Sequence, residues 1–267
     1  MKRAKRRPVV LQSRDIEVLT LTGLCGYLSV EHLKRAGLFP SADRARRRAF
    51  ALVQLGLLSV TLRGSTSSRI LSLTKIGRET VAAKNPEIAP RLRLAGPIRA
   101  TSIPHHELIV DIRLYAAALT AHGIALLAFH ETDGARELGA AGLRPDAIGI
   151  LNVQGAVRSV ALEADCATEG VSSILKSKLA RYQTALSSGR LHEIWFVTTA
   201  GLERRKSIRK ISIEAGVSPA VRTFTAEYIQ ARPAKAPTEL GQQPTTKKPA
   251  PTPPHKRAAT PAQKSSK

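Results

Sequence analysis

The chain has 267 residues, and 43% of them are apolar, so it can bury a sizeable core and is expected to be mostly globular. Its 42 Lys and Arg against 20 Asp and Glu give a formal charge of +22, which predicts a polyanionic partner, first of all double-stranded DNA. No stretch has the length of a membrane span or the apolar core of a signal peptide, so we expect a cytoplasmic protein with no membrane partner. Cys25 and Cys166 are too few for a disulfide framework or a zinc site.

Composition divides the chain into five segments. Residues 1–12 form a basic arm, and residues 13–83 carry helical patterns followed by two short strands. Four prolines fall in residues 84–104, which we interpret as a linker to a second domain over residues 105–230. Residues 231–267 contain eight of the sixteen prolines and little to bury, so we expect a disordered basic tail.

The first domain is predicted to open with three helices. Ser13, Ser29 and Ser41 are plausible N-caps, Gly37 ends the short second helix, and the third helix runs to about Leu55. A short helix, a tight turn and a longer helix predict a helix-turn-helix.

The third helix carries a cluster of arginines. Its apolar face includes Ala45 and Leu52, and the pattern puts Arg44, Arg47 and Arg48 together on the opposite face. Guanidinium groups suit contacts to phosphates and guanine edges, so these three residues are predicted to bind DNA. The alternative is a merely solvated face, although three like charges this close repel one another.

Two short strands are predicted behind this helix, over residues 57–62 and 69–73. A hairpin in that position is a wing, and its residues Arg63 and Arg69 are predicted to contact the DNA backbone.

The second domain alternates helix and strand signals. Its predicted order is αβββαβ with a further helix and strand, which makes the chain an α+β protein. The predicted elements are a helix over 105–120, strands over 124–130, 146–151 and 157–165, a helix over 169–187, a strand over 193–198, a helix over 202–215 and a strand over 221–228.

This order resembles the core of the PD-(D/E)xK nuclease superfamily. Pro145 and Asp146 open one strand, Glu163 lies late on the next, and Glu107 sits early in the first helix, where many members carry an extra acid. The resemblance implies that Asp146 and Glu163 bind Mg²⁺ and that Glu107 joins them in a catalytic centre for phosphodiester hydrolysis. Alternation also places Asp165 on the face of Glu163.

The superfamily lysine is absent from its usual position, which Asp165 occupies. Some members move that lysine to the following helix, and Lys178 lies on the apolar stripe of that helix, which makes it the candidate catalytic lysine. The alternative is a stem that packs while the ammonium reaches water. His105 and His106 are interpreted as capping or surface residues.

The two halves together resemble the replication-relaxation family of plasmid and mobile-element proteins, over about residues 13 to 200. The resemblance implies a winged helix, a nuclease-like domain and a role at plasmid replication or DNA relaxation. Its most specific residues are Arg144 to Ala147, Glu163, Asp165, Thr168, Glu169, Lys178, Leu179 and Tyr182.

Three functions stay open at this point. The first is a DNA-binding protein that acts in replication, relaxation or mobilisation and has a nuclease-like second domain. The second is a working Mg²⁺-dependent endonuclease or nickase. The third is a transcriptional regulator or assembly adaptor whose second domain is catalytically decayed and only forms a homodimer or binds a partner.

Overall fold

The computed structural model describes residues 10–62, 69–96, 98–131, 143–167 and 173–231. These residues form an α+β fold with one antiparallel sheet and one mixed sheet. The helices are α1 Ser13–Cys25, α2 Val30–Arg35, α3 Ala42–Gln54, α4 Lys75–Ala82, α5 Ile103–Ala118, α6 Ser173–Ser187, α7 Gly201–Glu214 and α8 Ala226–Gln230. The strands are β1 Tyr27–Ser29, β2 Leu58–Leu62, β3 Arg69–Leu73, β4 Ile124–Glu131, β5 Ala147–Val153, β6 Ala156–Asp165, β7 Glu193–Thr198 and β8 Val221–Thr225.

Helices α1 to α4 and a three-stranded antiparallel sheet in the order β1-β3-β2 make up the first unit of the structure. Strand β1 was not predicted, because three residues are too few to show alternation, yet it pairs with β3 through Leu28 opposite Leu71. The predicted caps Ser29 and Ser41 are confirmed, since each accepts a hydrogen bond from a backbone amide three residues later. The predicted cap Ser13 is wrong because α1 already begins at that residue.

The second unit contains helices α5 to α8 and a sheet in the order β4-β5-β6-β7-β8. Strands β4 to β6 form an antiparallel meander, and β6, β7 and β8 are parallel. The elements from α5 to α7 follow the predicted order, but the strand predicted over 221–228 stops at Thr225 and continues as α8. Helices α5 and α8 cover one face of the sheet, and α6 and α7 pack together against the other.

The segment predicted as a linker packs against the first unit. Ile88 and Leu92 are buried in the core around α1, and the Arg93 amide donates to the Gly23 carbonyl oxygen at 2.8 Å. None of the helices in the described ranges is long and apolar enough to cross a membrane.

Helix α5 belongs to both cores. Val110 and Leu114 pack into the core of the first unit, whereas Ile112 and Tyr115 pack into the core of the second. The two units are therefore joined through apolar burial on opposite sides of one helix.

A buried carboxylate on α5 adds a polar link between the units. Asp111 is 5% exposed and contacts the Arg35 guanidinium and the His32 Nε2 atom, at 3.1 Å for the latter. Gln230 of α8 donates to the same carboxylate at 2.7 Å. Burial works to raise the pKa of Asp111, but the hydrogen bond and charge of His32, with Arg35, lower it. Asp111 thus ties α2 to α5 and α8 as a charged group.

Replacing Asp111 by Asn should destabilise the protein, because the Arg35 guanidinium loses a buried counter-charge. We expect D111N to lower the free energy of unfolding by on the order of 3 kcal/mol in urea titrations. Asp43→Asn is the matched control, since Asp43 and Arg46 form an exposed pair and its loss should cost less than about 0.5 kcal/mol. Equal stability of D111N and the wild type would contradict the structural role of Asp111.

Candidate functional site

Helix α3 presents arginines to solvent as its sequence predicts. Ala45, Ala49 and Leu52 are buried against the rest of the first unit, while Arg44 and Arg47 are exposed. The turn between α2 and α3 holds this helix in place, because Leu38 and Phe39 in it are buried. The side chains of Arg44 and Arg47 therefore lie on one accessible surface of α3, and neither forms an ion pair with a described carboxylate.

Arg48 departs from its prediction as an outward-facing DNA contact. It follows Ala45 by three positions and precedes Leu52 by four, so it lies at the border of the buried face. Its Nε donates to the Asp15 Oδ1 atom at 2.6 Å, its Nη2 contacts Asp15 Oδ2, and Asp15 is fully buried. Arg48 therefore joins α3 to α1 as a structural ion pair.

The structure describes only one of the two arginines predicted to lie in a wing. Arg69 begins β3 and is exposed. Arg63 lies outside the described residues, so its predicted role stays a prediction.

The two predicted metal carboxylates lie side by side. Asp146 immediately precedes β5, whose first residue Ala147 pairs with Leu162 of β6, so Asp146 falls beside Glu163. The Ala164 amide donates to Asp146 Oδ2 at 2.8 Å and holds this carboxylate at the end of the antiparallel pair.

Glu163 is 2% exposed and contacts two side chains of α6. The Lys178 ammonium forms an ion pair with Glu163 Oε2, and the Tyr182 hydroxyl donates to Oε1. Lys178 and Tyr182 are four residues apart and so share one face of the helix. The predicted convergence of Asp146, Glu163 and Lys178 is present in the structure, and Tyr182 completes the group.

A histidine from α5 closes the other side of this group, which we name the carboxylate centre: His105, Asp146, Glu163, Lys178 and Tyr182. His105 Nε2 lies 3.2 Å from Asp146 Oδ1, although we predicted a capping or surface role for this residue. Glu107 is half-buried two residues further along the same helix, and its predicted role stays a prediction.

Burial acts to raise the pKa of both carboxylates of the centre, but the net shift differs between them. Burial raises the pKa of Glu163 to about 7, although the Lys178 ammonium works in the opposite direction. Burial also acts to raise the pKa of Asp146, but the hydrogen bond and charge of His105 outweigh it and lower that pKa. The same hydrogen bond raises the pKa of His105. Asp146 is thus the carboxylate that stays ionised, and Glu163 is the one that titrates near neutral pH.

Asp165 lies on the face of Glu163, as alternation predicts, but turns to a different partner. Arg204 of α7 donates to both of its carboxylate oxygens, each at 2.8 Å. This bidentate pair fixes the start of α7 against the end of β6. Asp165, the position at which the nuclease resemblance would place a lysine, therefore helps to hold α7 against the sheet.

A divalent cation at this centre would have to share or displace the contacts that the two carboxylates make with protein donors. A cation such as Mg²⁺ binds carboxylate oxygens directly, yet all four oxygens of Asp146 and Glu163 contact protein donors. Among the residues that the structure describes, no three His, Cys, Asp or Glu side chains are grouped to hold a metal ion. The Lys178 ammonium lies against Glu163 and balances its charge once that carboxyl group is ionised.

Comparison of the chain with family models, with curated proteins and with solved structures found no match. The resemblance to the replication-relaxation family therefore stays a proposal.

The sequence identifies the acidic residues of the site, but it does not identify all of the side chains that contact them. Tyr182 was noted as part of the Lys178 helix but given no role, and its spacing of four from Lys178 is the signal that places both on one side. Arg204 gave no signal, because nothing local distinguishes it from its basic neighbours on α7.

The pKa of Glu163 predicts a specific pH dependence of stability. The folded protein keeps the Glu163 proton up to a pH of about 7, whereas the unfolded chain releases it near the ordinary value of 4.5. The stabilisation from this proton is therefore complete below the unfolded pKa of 4.5 and is lost as the pH rises through the folded pKa of about 7. Between about pH 5 and about pH 8, we expect the wild type to lose on the order of 2 kcal/mol more unfolding free energy than Glu163→Gln.

The control for this titration is Glu203→Gln, which removes an exposed carboxylate paired with Lys206. Its unfolding free energy should follow that of the wild type throughout the range. Parallel curves for the wild type and E163Q would show that Glu163 titrates normally.

Proposed function

We propose that this chain is a DNA-binding protein that docks on double-stranded DNA through a winged helix-turn-helix. Helices α2 and α3 form the helix-turn-helix, α3 is the recognition helix, and β2 with β3 forms the wing. The observation that carries this proposal is the joint exposure of Arg44 and Arg47 on α3, opposite its buried face. Arg69 adds a phosphate contact from the wing.

Charge supports the same partner. A formal charge of +22 disfavours a compact fold in isolation, and the phosphates of a duplex supply the compensating charge. Arg48 is left out of the interface because its guanidinium neutralises the buried Asp15.

Replacing Arg44 and Arg47 together by Gln should weaken duplex binding and make it less sensitive to salt. Each lost phosphate contact lowers the slope of log affinity against log salt by about 0.9, so we expect a reduction of about 1.8. Fluorescence anisotropy with a short duplex over a range of salt concentrations measures both quantities.

The matched control is Lys206→Gln with Lys210→Gln, which removes the same charge from α7 of the second unit. It should change the slope much less than R44Q/R47Q does. If the two double variants behaved alike, binding would follow net charge and α3 would not be a recognition helix.

The resemblance to the replication-relaxation family supports a more specific role, in the replication, relaxation or mobilisation of a plasmid or mobile element. On this proposal the αβββαβ unit is nuclease-like in fold. Because each oxygen of Asp146 and Glu163 contacts a donor, we favour a centre without hydrolytic activity, so that the second unit acts as a partner-binding or dimerising module of a regulator or adaptor.

A Mg²⁺-dependent nickase is the second candidate, and the convergence of Asp146, Glu163 and Lys178 favours it. Here Lys178 would stabilise negative charge on a phosphodiester once it was released from Glu163. This candidate requires the contacts of the carboxylate centre to rearrange.

Incubation with supercoiled plasmid separates the two candidates. We expect no relaxation by the purified wild type in Mg²⁺, because the carboxylate oxygens are held by protein donors. Relaxation that is abolished in Asp146→Asn, with the DNA affinity of that variant unchanged, would instead establish the nickase.

A further inference from the structure

A groove of about 310 Å³ lies between α7 and β8, and none of the residues that line it belongs to α3 or to the carboxylate centre. Three arginines line it, Arg205 and Arg209 from α7 and Arg222 from β8. Ser218 and Thr223 add hydroxyl groups, and Ser212, Val221 and Phe224 complete the lining. The groove therefore combines the two kinds of group that bind phosphate oxygens, guanidinium and hydroxyl.

The helical positions of α7 explain why its arginines meet there. Ile208 and Ile211 face the core, and Arg205 and Arg209, four residues apart, border that face on the side of β8. Lys206 and Lys210 have the same spacing but lie about 100° further round the helix.

The charges in the groove are not balanced within the described part of the chain. Arg222 pairs with Glu193 at 3.2 Å, but Glu193 also pairs with Arg158 at 3.5 Å, so one carboxylate serves two arginines. Arg205 Nε contacts the neutral Thr223 hydroxyl at 3.4 Å. No described carboxylate lies within ion-pair distance of Arg205 or Arg209. Two like charges one helical turn apart repel each other, so an anion between them is stabilised.

The arginines that α7 contributes to the groove follow the axis of this helix. Arg204, which holds Asp165, immediately precedes Arg205, and Arg209 lies about 6 Å further along the helix axis. A chain of phosphates suits this linear arrangement of positive groups better than a single enclosed anion does.

We propose that the groove between α7 and β8 binds the phosphodiester backbone of nucleic acid, as a second contact surface independent of α3. Arg205 and Arg209 supply the charge, and Thr223 and Ser218 add hydroxyl groups. Because these contacts reach only phosphates, the groove adds affinity and salt dependence without base specificity.

The test replaces Arg205 and Arg209 together by Gln and measures binding of a short duplex of arbitrary sequence over a range of salt. We expect the log-log salt slope to fall by about 1.8 and the affinity at low salt to drop at least about tenfold. The matched control is again K206Q/K210Q, which removes two charges at the same spacing from the neighbouring face of α7. Circular dichroism and thermal unfolding check that both variants are folded.

Combination with R44Q/R47Q keeps this proposal separate from the role of α3. If the two surfaces act independently, the losses in log affinity should add, and R205Q/R209Q should weaken the residual binding of the α3 variant. If R205Q/R209Q binds the duplex like the wild type while R44Q/R47Q binds it weakly, the proposal for the groove is wrong and the proposal for α3 stands.

Thermal unfolding with inorganic phosphate tests whether the groove binds a free anion instead of nucleic acid. If phosphate raises the thermal midpoint of the wild type but not of R205Q/R209Q, while both bind the duplex equally, the groove is a site for free phosphate and the proposal is wrong. An unchanged slope in R205Q/R209Q, or a change equal to that of K206Q/K210Q, overturns it as well.

Discussion

The double burial of α5 is the constraint on which the rest of the structure depends. This helix is apolar on nearly all sides, so neither core alone can cover it, and the two units must pack on opposite faces. Each buried charge of α5 contacts a partner in the first unit. Asp111 contacts His32 and Arg35, and Arg113 donates to the Leu24 carbonyl oxygen at 3.0 Å. Burying those charges without these partners would be costly, so the polar contacts fix how the units sit together.

The same helix brings His105 to the carboxylate centre, so the architecture and the electrostatics of the centre are linked. Asp146 and Glu163 respond differently to burial because one faces a histidine near the surface and the other faces Tyr182 and Lys178 inside. An arrangement in which every carboxylate oxygen meets a donor stabilises the end of the sheet. Any metal-dependent hydrolysis at this centre would have to share or displace those contacts.

The arginines discussed above fall into two classes. Arg48, Arg35 and Arg204 neutralise buried or half-buried acids, and they are part of the fold. Arg44 and Arg47 on α3 lie on an accessible surface of the first unit, and the arginines of the α7 groove on one of the second. The proposals for nucleic-acid binding rest on that second class, because only accessible charges gain from meeting phosphates.

The sequence by itself determined the element order from α5 to α7, the caps Ser29 and Ser41, and the apolar face of α3. These follow from local periodicity and from hydrogen bonds within three residues, which short stretches of chain encode directly. Only the tertiary structure decided that Arg48 turns to Asp15, that His105 meets Asp146, and that Arg204 holds Asp165. Each of these pairs joins residues more than thirty positions apart, so the partner of each charge depends on how the helices pack and not on its neighbours in the sequence.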